Sequence, residues 1–224
     1  MTVQKGDVKE ALELFDPHAS SLAEIKRNLE FLSALPNTYC TIGIKSTSQS
    51  GDSITFATDF ALQTYPVQNG PMLDRRDTVT MTLRRVENSW KIASFSPLSV
   101  LAAPDGSVFK RIAELATNLN EKDQTDAMGA FDKGMKQYAE IDDDIDALMT
   151  QNDVLCAIDI VGDRQTGAVH TLDLDWYLDL KSRTDGGRSS QRRERVKVTM
   201  RQIKGKWKID SMEPLSILSP SSIH

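Results

Sequence analysis

Apolar residues along this chain change their period twice. Val8, Ala11, Leu12 and Phe15, and then Leu22, Ile25, Leu29 and Leu32, recur at helical spacing, each set on one face. From Cys40 the period drops to two: Cys40, Ile42 and Ile44 alternate with Thr41, Gly43 and Lys45, the pattern of a strand with one buried side. Strands over residues 54–62 and 79–83 follow, and the Glu87-Asn88-Ser89 turn leads into a last Trp90-Lys91-Ile92 strand, so antiparallel hairpins are predicted. The order then begins again. Val108, Ile112, Leu115 and Leu119 predict a further helix, Phe131, Met135 and Tyr138 another, and Ile141, Ile145 and Leu148 a third. Strands start at Cys156, His170 and Val196, and Lys204-Gly205 turns into Trp207-Lys208-Ile209. Asp7 with Glu10, and Ser21 with Glu24, have the spacing of capping boxes at the first two helix starts.

Superposing the halves explains this repetition. Cys156 lies 116 positions after Cys40, and the same shift carries Ala11 to Ala127, Phe15 to Phe131, Asp16 to Asp132, Asp59 to Asp175 and Leu62 to Leu178. One inserted residue makes the shift 117, which aligns Arg75-Arg76-Asp77 with Arg192-Arg193-Glu194 and Trp90-Lys91-Ile92 with Trp207-Lys208-Ile209. The expectation is a tandem duplication, with one domain over residues 1–103 and a second over 104–224. The helix at Val108–Leu119 has its counterpart mostly before Met1, so the native chain is expected to begin upstream, with a helix and an export signal removed.

Helices first, then a meander of long strands ending in "NSWKIASFSPLSVL" or "GKWKIDSMEPLSIL", resembles the nuclear transport factor 2-like superfamily, which also holds ketosteroid isomerase and the polyketide cyclases. The resemblance covers nearly the whole chain and carries no catalytic motif. It implies an α+β fold in which each copy is a strongly curved antiparallel sheet wrapped round its helices as a cone, often with a pocket at the open end. It also implies two-fold pairing of such domains, here as a pseudo-dimer within one chain. The fold hosts many chemistries and many members with none, so function has to be argued from the site.

Composition narrows the field. With a net charge of −5, the chain lacks the basic excess of a general nucleic-acid binder. No apolar run reaches the roughly 18 residues of a membrane span. Two cysteines make no disulfide framework, and their alternation makes both buried apolar residues. The histidines at 18, 170 and 224 have no zinc-like spacing, and Gly-rich phosphate loops, C-x-x-C and G-x-S-x-G are absent, so neither metal nor cofactor is expected. Asp142-Asp143-Asp144 with Asp146 lacks the Gly and Glu of a calcium loop and reads as the wet face of a helix.

The ligand-binding candidates are charged or polar residues on inward strand faces, where burial is costly unless the group is paired or used. Arg75 with Asp77, and Arg192 with Glu194, form matching acid–guanidinium sets, readable as an anion site or as salt bridges at a strand end. An adjacent Arg holds a carboxylate ionised, which counts against acid–base work. His170 and Trp176 lie inward on one strand, His170 as a base or as a satisfied core histidine. Lys181, Arg183, Arg188, Arg192, Arg193 and Arg195 form a basic hairpin with the Asp-rich helix as a candidate counterion. The leading expectation is a bacterial-type, non-catalytic accessory protein that binds a small apolar or anionic molecule or another protein, possessing no catalytic residue. The alternatives are a pocket isomerase or dehydratase using Asp77, Glu194 or His170, and a structural module of an exported assembly.

Overall fold

The computed structural model describes residues 8–35, 37–68, 70–183 and 186–220. These fall in two compact units: Met1–Pro66 with Leu73–Pro104, and Asp105–His224 together with the short segment Val67–Met72. Met72 ties that segment to the second unit. Its carbonyl accepts from the Ile160 N–H at 2.8 Å, and its own N–H donates to Asp159 Oδ1 at 3.1 Å.

The first unit opens with α1 (Val8–Leu12) and α2 (Leu22–Ala34), followed by the meander β1 (Tyr39–Ser50), β2 (Ser53–Thr64), β3 (Leu73–Val86) and β4 (Ser89–Ser96), paired antiparallel in that order. Ile25, Leu29 and Leu32 of α2 are buried on one face, as their spacing predicts, Ile25 and Leu29 with Ala11 of α1 and Leu32 with Cys40, Phe60 and Val79 of the strands. The Ser21 capping box does not form: Ser21 makes no side-chain bond, and its carbonyl already accepts from the Ile25 N–H at 2.9 Å. The Asp7 box lies outside the described residues.

The second unit has α3 (Gly106–Glu121), α4 (Gln124–Met128) and α5 (Tyr138–Gln151), then β5 (Asn152–Thr166), β6 (Val169–Ser182), β7 (Ser189–Ile203) and β8 (Lys206–Glu213) in the same antiparallel order. Asp105 starts α3 by accepting from the Ser107 N–H at 2.9 Å, and Lys122 ends it in the left-handed conformation at φ 60°. Val108, Phe109, Ile112, Leu115 and Leu119 of α3 are all fully buried. The acidic stretch of α5 is its solvent-facing side, as expected, with Ile141, Ile145 and Leu148 turned inward.

Two expectations need correction. Helices were predicted through Phe15 and through Phe131, Met135 and Tyr138, but α1 and α4 stop after five residues. Sheet pairing outcompetes the helix there. Ile92 N–H donates to Leu14 O while Asp16 N–H donates to Ile92 O, and the Ile209, Ala130 and Asp132 backbones do the same, at 2.8–3.0 Å. The strong curvature expected of each sheet is also absent, and each meander remains open. Bulges are what bend a sheet, and only the outer pairs of each unit carry one, at Ile44/Ser46, Thr82/Leu83, Ile160/Gly162 and Thr199/Met200. The central pairs β2–β3 and β6–β7 run in unbroken register.

Candidate interaction surface

The six residues singled out from sequence do not converge on one site. Arg75 and Asp77 lie at one end of the first unit's sheet, opposite Leu62 and Phe60, and Arg192 and Glu194 lie opposite Leu178 and Trp176 in the second. His170 is six residues from Trp176 along β6, about 20 Å at strand rise.

Both arginines grip the chain that follows the last strand of their unit. Arg75 Nη1 donates to the Ala102 carbonyl, and Arg192 Nη1 to the carbonyls of Ser219 and, at 3.2 Å, Ile217. Burial draws the Arg192 pKa down, while Glu194 and Asp144 oppose that shift. Glu194 accepts from Ser216 Oγ at 2.8 Å, and Asp77, exposed, accepts from the Thr78 N–H at 2.7 Å. Trp176 is fully buried in the second unit, and Phe60 at the matching position of the first is buried too. Of the basic hairpin, Arg193 and Arg195 pair with Asp175 at 2.7 and 3.5 Å, and Arg183 with Asp153 at 3.0 Å. These three take strand carboxylates rather than the Asp-rich helix as counterions.

His170 is 1% exposed, and its Nδ1 lies 2.9 Å from Asp163 Oδ1, whose side chain is 5% exposed. Its ring meets Trp207 edge-on at 4.9 Å, and Nε2 has no hydrogen-bond partner among the described residues. Sequence alternation hid Asp163. The bulge at Ile160/Gly162 changes the parity of β5, so an odd-numbered residue joins the face begun by Cys156, Ile158 and Ile160. Gly162 inside a strand was the available signal.

The largest difference between the units lies on this same inward face. In the second unit α3 covers it: Leu172, Val198, Met200 and Ile209 are fully buried, and Trp207 is 6% exposed. At the matching positions of the first unit Phe56, Met81, Leu83 and Ile92 are only half-buried, Trp90 is 43% exposed and Ile44 is 67% exposed where Ile160 is fully buried. The expectation that Ile44 points to a core therefore fails. No helix among the described residues of the first unit stands where α3 stands in the second. Among the described residues this apolar sheet face therefore has no helix over it, and Met81 and Ile92 on it pack against the core formed by Leu32, Cys40, Phe60 and Val79.

Shallower features accompany it. Each unit has a groove beside its five-residue helix and last hairpin, about 860 Å3 beside α1 lined by Val8, Leu12, Phe15, Leu22, Val86 and Lys91, and about 680 Å3 beside α4 lined by Gln124, Met128, Phe131, Tyr138, Ile203 and Lys208. Another groove of about 780 Å3 lies on the outer side of the first sheet, among Thr41, Gly43, Asp59 and Thr78. Among the described residues no group of His, Cys, Asp and Glu is arranged to hold a metal, and no helix is long and apolar enough to cross a membrane. Both cysteines are buried and unpaired, and burial pushes the Cys40 thiol up to about 11 and that of Cys156 to about 12.

No family model and no curated protein matches the sequence. Solved structures do resemble it at low identity. A conserved protein from Planctomyces limnophilus has a TM-score of 0.43 at 8% identity, covering 47% of this chain and 90% of its own. A nuclear transport factor 2-like superfamily protein from Salmonella enterica has a TM-score of 0.41 at 13% identity, covering 47% of this chain and 84% of its own. A nuclear transport factor 2-like protein involved in plasmid conjugation has a TM-score of 0.30 at 12% identity, covering 91% of this chain and 92% of its own. The chain is an α+β protein with structural neighbours of nuclear transport factor 2-like and cystatin-like type.

Proposed function

We propose that the chain is a non-catalytic accessory protein, two tandem copies of one nuclear transport factor 2-like domain, that works by binding another protein on the open sheet face of its first copy. The observation that carries this reading is the contrast between equivalent faces: Trp207 sealed and Trp90 exposed, Ile160 sealed and Ile44 exposed. A contiguous apolar face left to water is what binding surfaces present. The duplication is supported by backbone devices at matching positions. Ile92 and Ile209 bridge Phe15 and Phe131, and Arg75 and Arg192 clamp the carbonyls of Ala102 and Ser219.

The acid–imidazole pair does not favour a pocket enzyme. Asp163 and His170 are closed off beneath α3, and Ile54, the first copy's match for His170, cannot transfer a proton. The guanidinium–acid sets are occupied by main-chain carbonyls and Ser216, which favours a structural role for them.

The test is a titration with anilinonaphthalene sulfonate, whose fluorescence rises on open apolar surface, comparing the parent chain with Leu83→Glu. The parent should show saturable enhancement and the variant should lose it with an unchanged circular dichroism spectrum. A parent that does not enhance the dye, or a variant that does so equally, sinks the reading.

A further inference from the structure

We infer that the groove beside α4 in the second unit is a binding site for a small phosphomonoester, its dianionic head on Lys133, Lys204 and Lys208 and its organic body against Tyr138 and Ile203. The groove holds about 680 Å3, within the range of small-molecule sites. Met128 and Phe131 close its floor, being 5% and 1% exposed, so a guest meets the half-buried Tyr138 and Ile203 and the polar side chains round them. The segment preceding α4 is α3, itself described and packed on the sheet, and every lining residue is described as well. The site therefore stands between elements that are all in place.

Lys208 carries the chemistry. It is half-buried, its Nζ donates to the Gly129 carbonyl, and among the described residues it forms no ion pair. An ammonium has three N–H donors, so two are left for a guest. Burial and the charges of Arg111, Lys206 and Lys133 all press its pKa down, and only Asp132 opposes them. A cation held among cations gains most from an incoming anion. With Lys204 on the rim, five cations stand here against Asp132, Asp142 and the Glu114 that pairs with Arg111 at 2.8 Å, in a chain whose net charge is −5. That leaves an excess of two positive charges. A phosphomonoester carries about −1.5 to −2 at neutral pH and offers strong acceptor oxygens, so it matches the excess, whereas a carboxylate or a sulfate ester supplies a single charge.

The matching groove of the first unit has the same framework without the excess. There Lys91 Nζ donates to the Glu13 carbonyl in the same way, yet the lining residues Lys9, Lys26 and Lys91 face Glu13, Glu30 and Glu87, and the charges balance. Glu13, Glu87 and Pro17 correspond to Gly129, Lys204 and Lys133 in the second unit. The lysine-to-carbonyl bond is common to both units, and the uncompensated charge is the second unit's own.

Heteronuclear NMR of the full chain at about pH 7.5 and low salt tests this, with phenyl phosphate as the probe and phenyl sulfate as its singly charged counterpart of the same shape. Phenyl phosphate should give saturable shifts at the backbone amides of residues 124–142 and 203–208, and phenyl sulfate should bind several-fold more weakly. Lys133→Gln and Lys204→Gln, both at exposed positions, should each weaken phenyl phosphate several-fold with the amide spectrum otherwise unchanged, and Lys91→Gln in the first unit should not weaken it. The absence of saturable shifts, shifts centred instead on the basic hairpin at 188–195, equal binding of phenyl sulfate, or unchanged affinity in both Lys133→Gln and Lys204→Gln overturns the proposal. Inorganic phosphate binding as tightly as the ester would remove Tyr138 and Ile203 from the site, and a phosphoserine peptide binding more tightly would assign the groove to a phosphorylated protein; either result overturns it as well.

Discussion

Ile92 and Ile209 offer the same perturbation at matching positions with unequal cover. Each is bridged through its backbone to a phenylalanine segment, which alanine leaves in place. Ile209 is fully buried under α3, whereas Ile92 is half-buried on the open face. Ile→Ala removes three carbons, worth about 0.8 kcal/mol each when buried, and a sealed site adds about 1 kcal/mol for the cavity. Ile209→Ala should therefore cost about 3.5 kcal/mol. At Ile92 roughly half the transfer remains and water fills the gap, so Ile92→Ala should cost about 1 kcal/mol. Urea unfolding followed by tryptophan emission measures both, because Trp90 reports on the first unit and Trp176 and Trp207 on the second. Equal losses, or a larger loss at Ile92, would refute the assignment of cover to α3.

Further consequences concern buried polar groups. Asp163→Leu alone should destabilise the second unit by about 1–3 kcal/mol, because His170 then loses its partner inside the core. The double change Asp163→Thr with His170→Ile, which installs the first unit's residues, should come within about 1 kcal/mol of the parent; an equal loss in both proteins would show that the pair is not the cause. Neither Cys40 nor Cys156 should react with a disulfide reagent at pH 8 until the chain is unfolded, since both thiols are buried and pushed up to about 11 and about 12. The carboxyl of Asp16 is held below its ordinary value by the His18 N–H at 2.9 Å and by Arg84. Its contribution is thus complete above the unfolded value of about 3.9 and is lost as pH falls through the lower folded value. Acid titration should find Asp16→Asn less stable at pH 6 than the parent, with the difference narrowing once the pH falls below the unfolded value of about 3.9.

Strand order, the inward faces of β2, β3, β6 and β7, and α3 itself were legible because alternation and helical spacing are long and uninterrupted there. What stayed hidden depended on single residues or on absent cover. A lone bulge residue turned Asp163 inward, and Gly162 inside the strand was its one mark in the sequence. Helix spacing continued through Phe15 and Phe131, but backbone pairing with Ile92 and Ile209 ended those helices early. Arg75 and Arg192 were readable as inward charges, yet their acceptors, 27 residues further on, are carbonyls that no side-chain pattern marks. Ile44 has the period of a core position, yet it is exposed, and no helix among the described residues lies over it. Amphipathic pattern specifies which side of a strand seeks burial, and it is silent on what provides it.

Hydroxyl-radical footprinting of the intact chain, read by mass spectrometry, addresses the contrast between the two faces without any substitution. Oxidation should be fast at Trp90 and measurable at Met81, and slow at Trp207 and Met200. Equal protection of Trp90 and Trp207 would mean that the first unit's face is covered after all, and the binding surface argued from it would not exist.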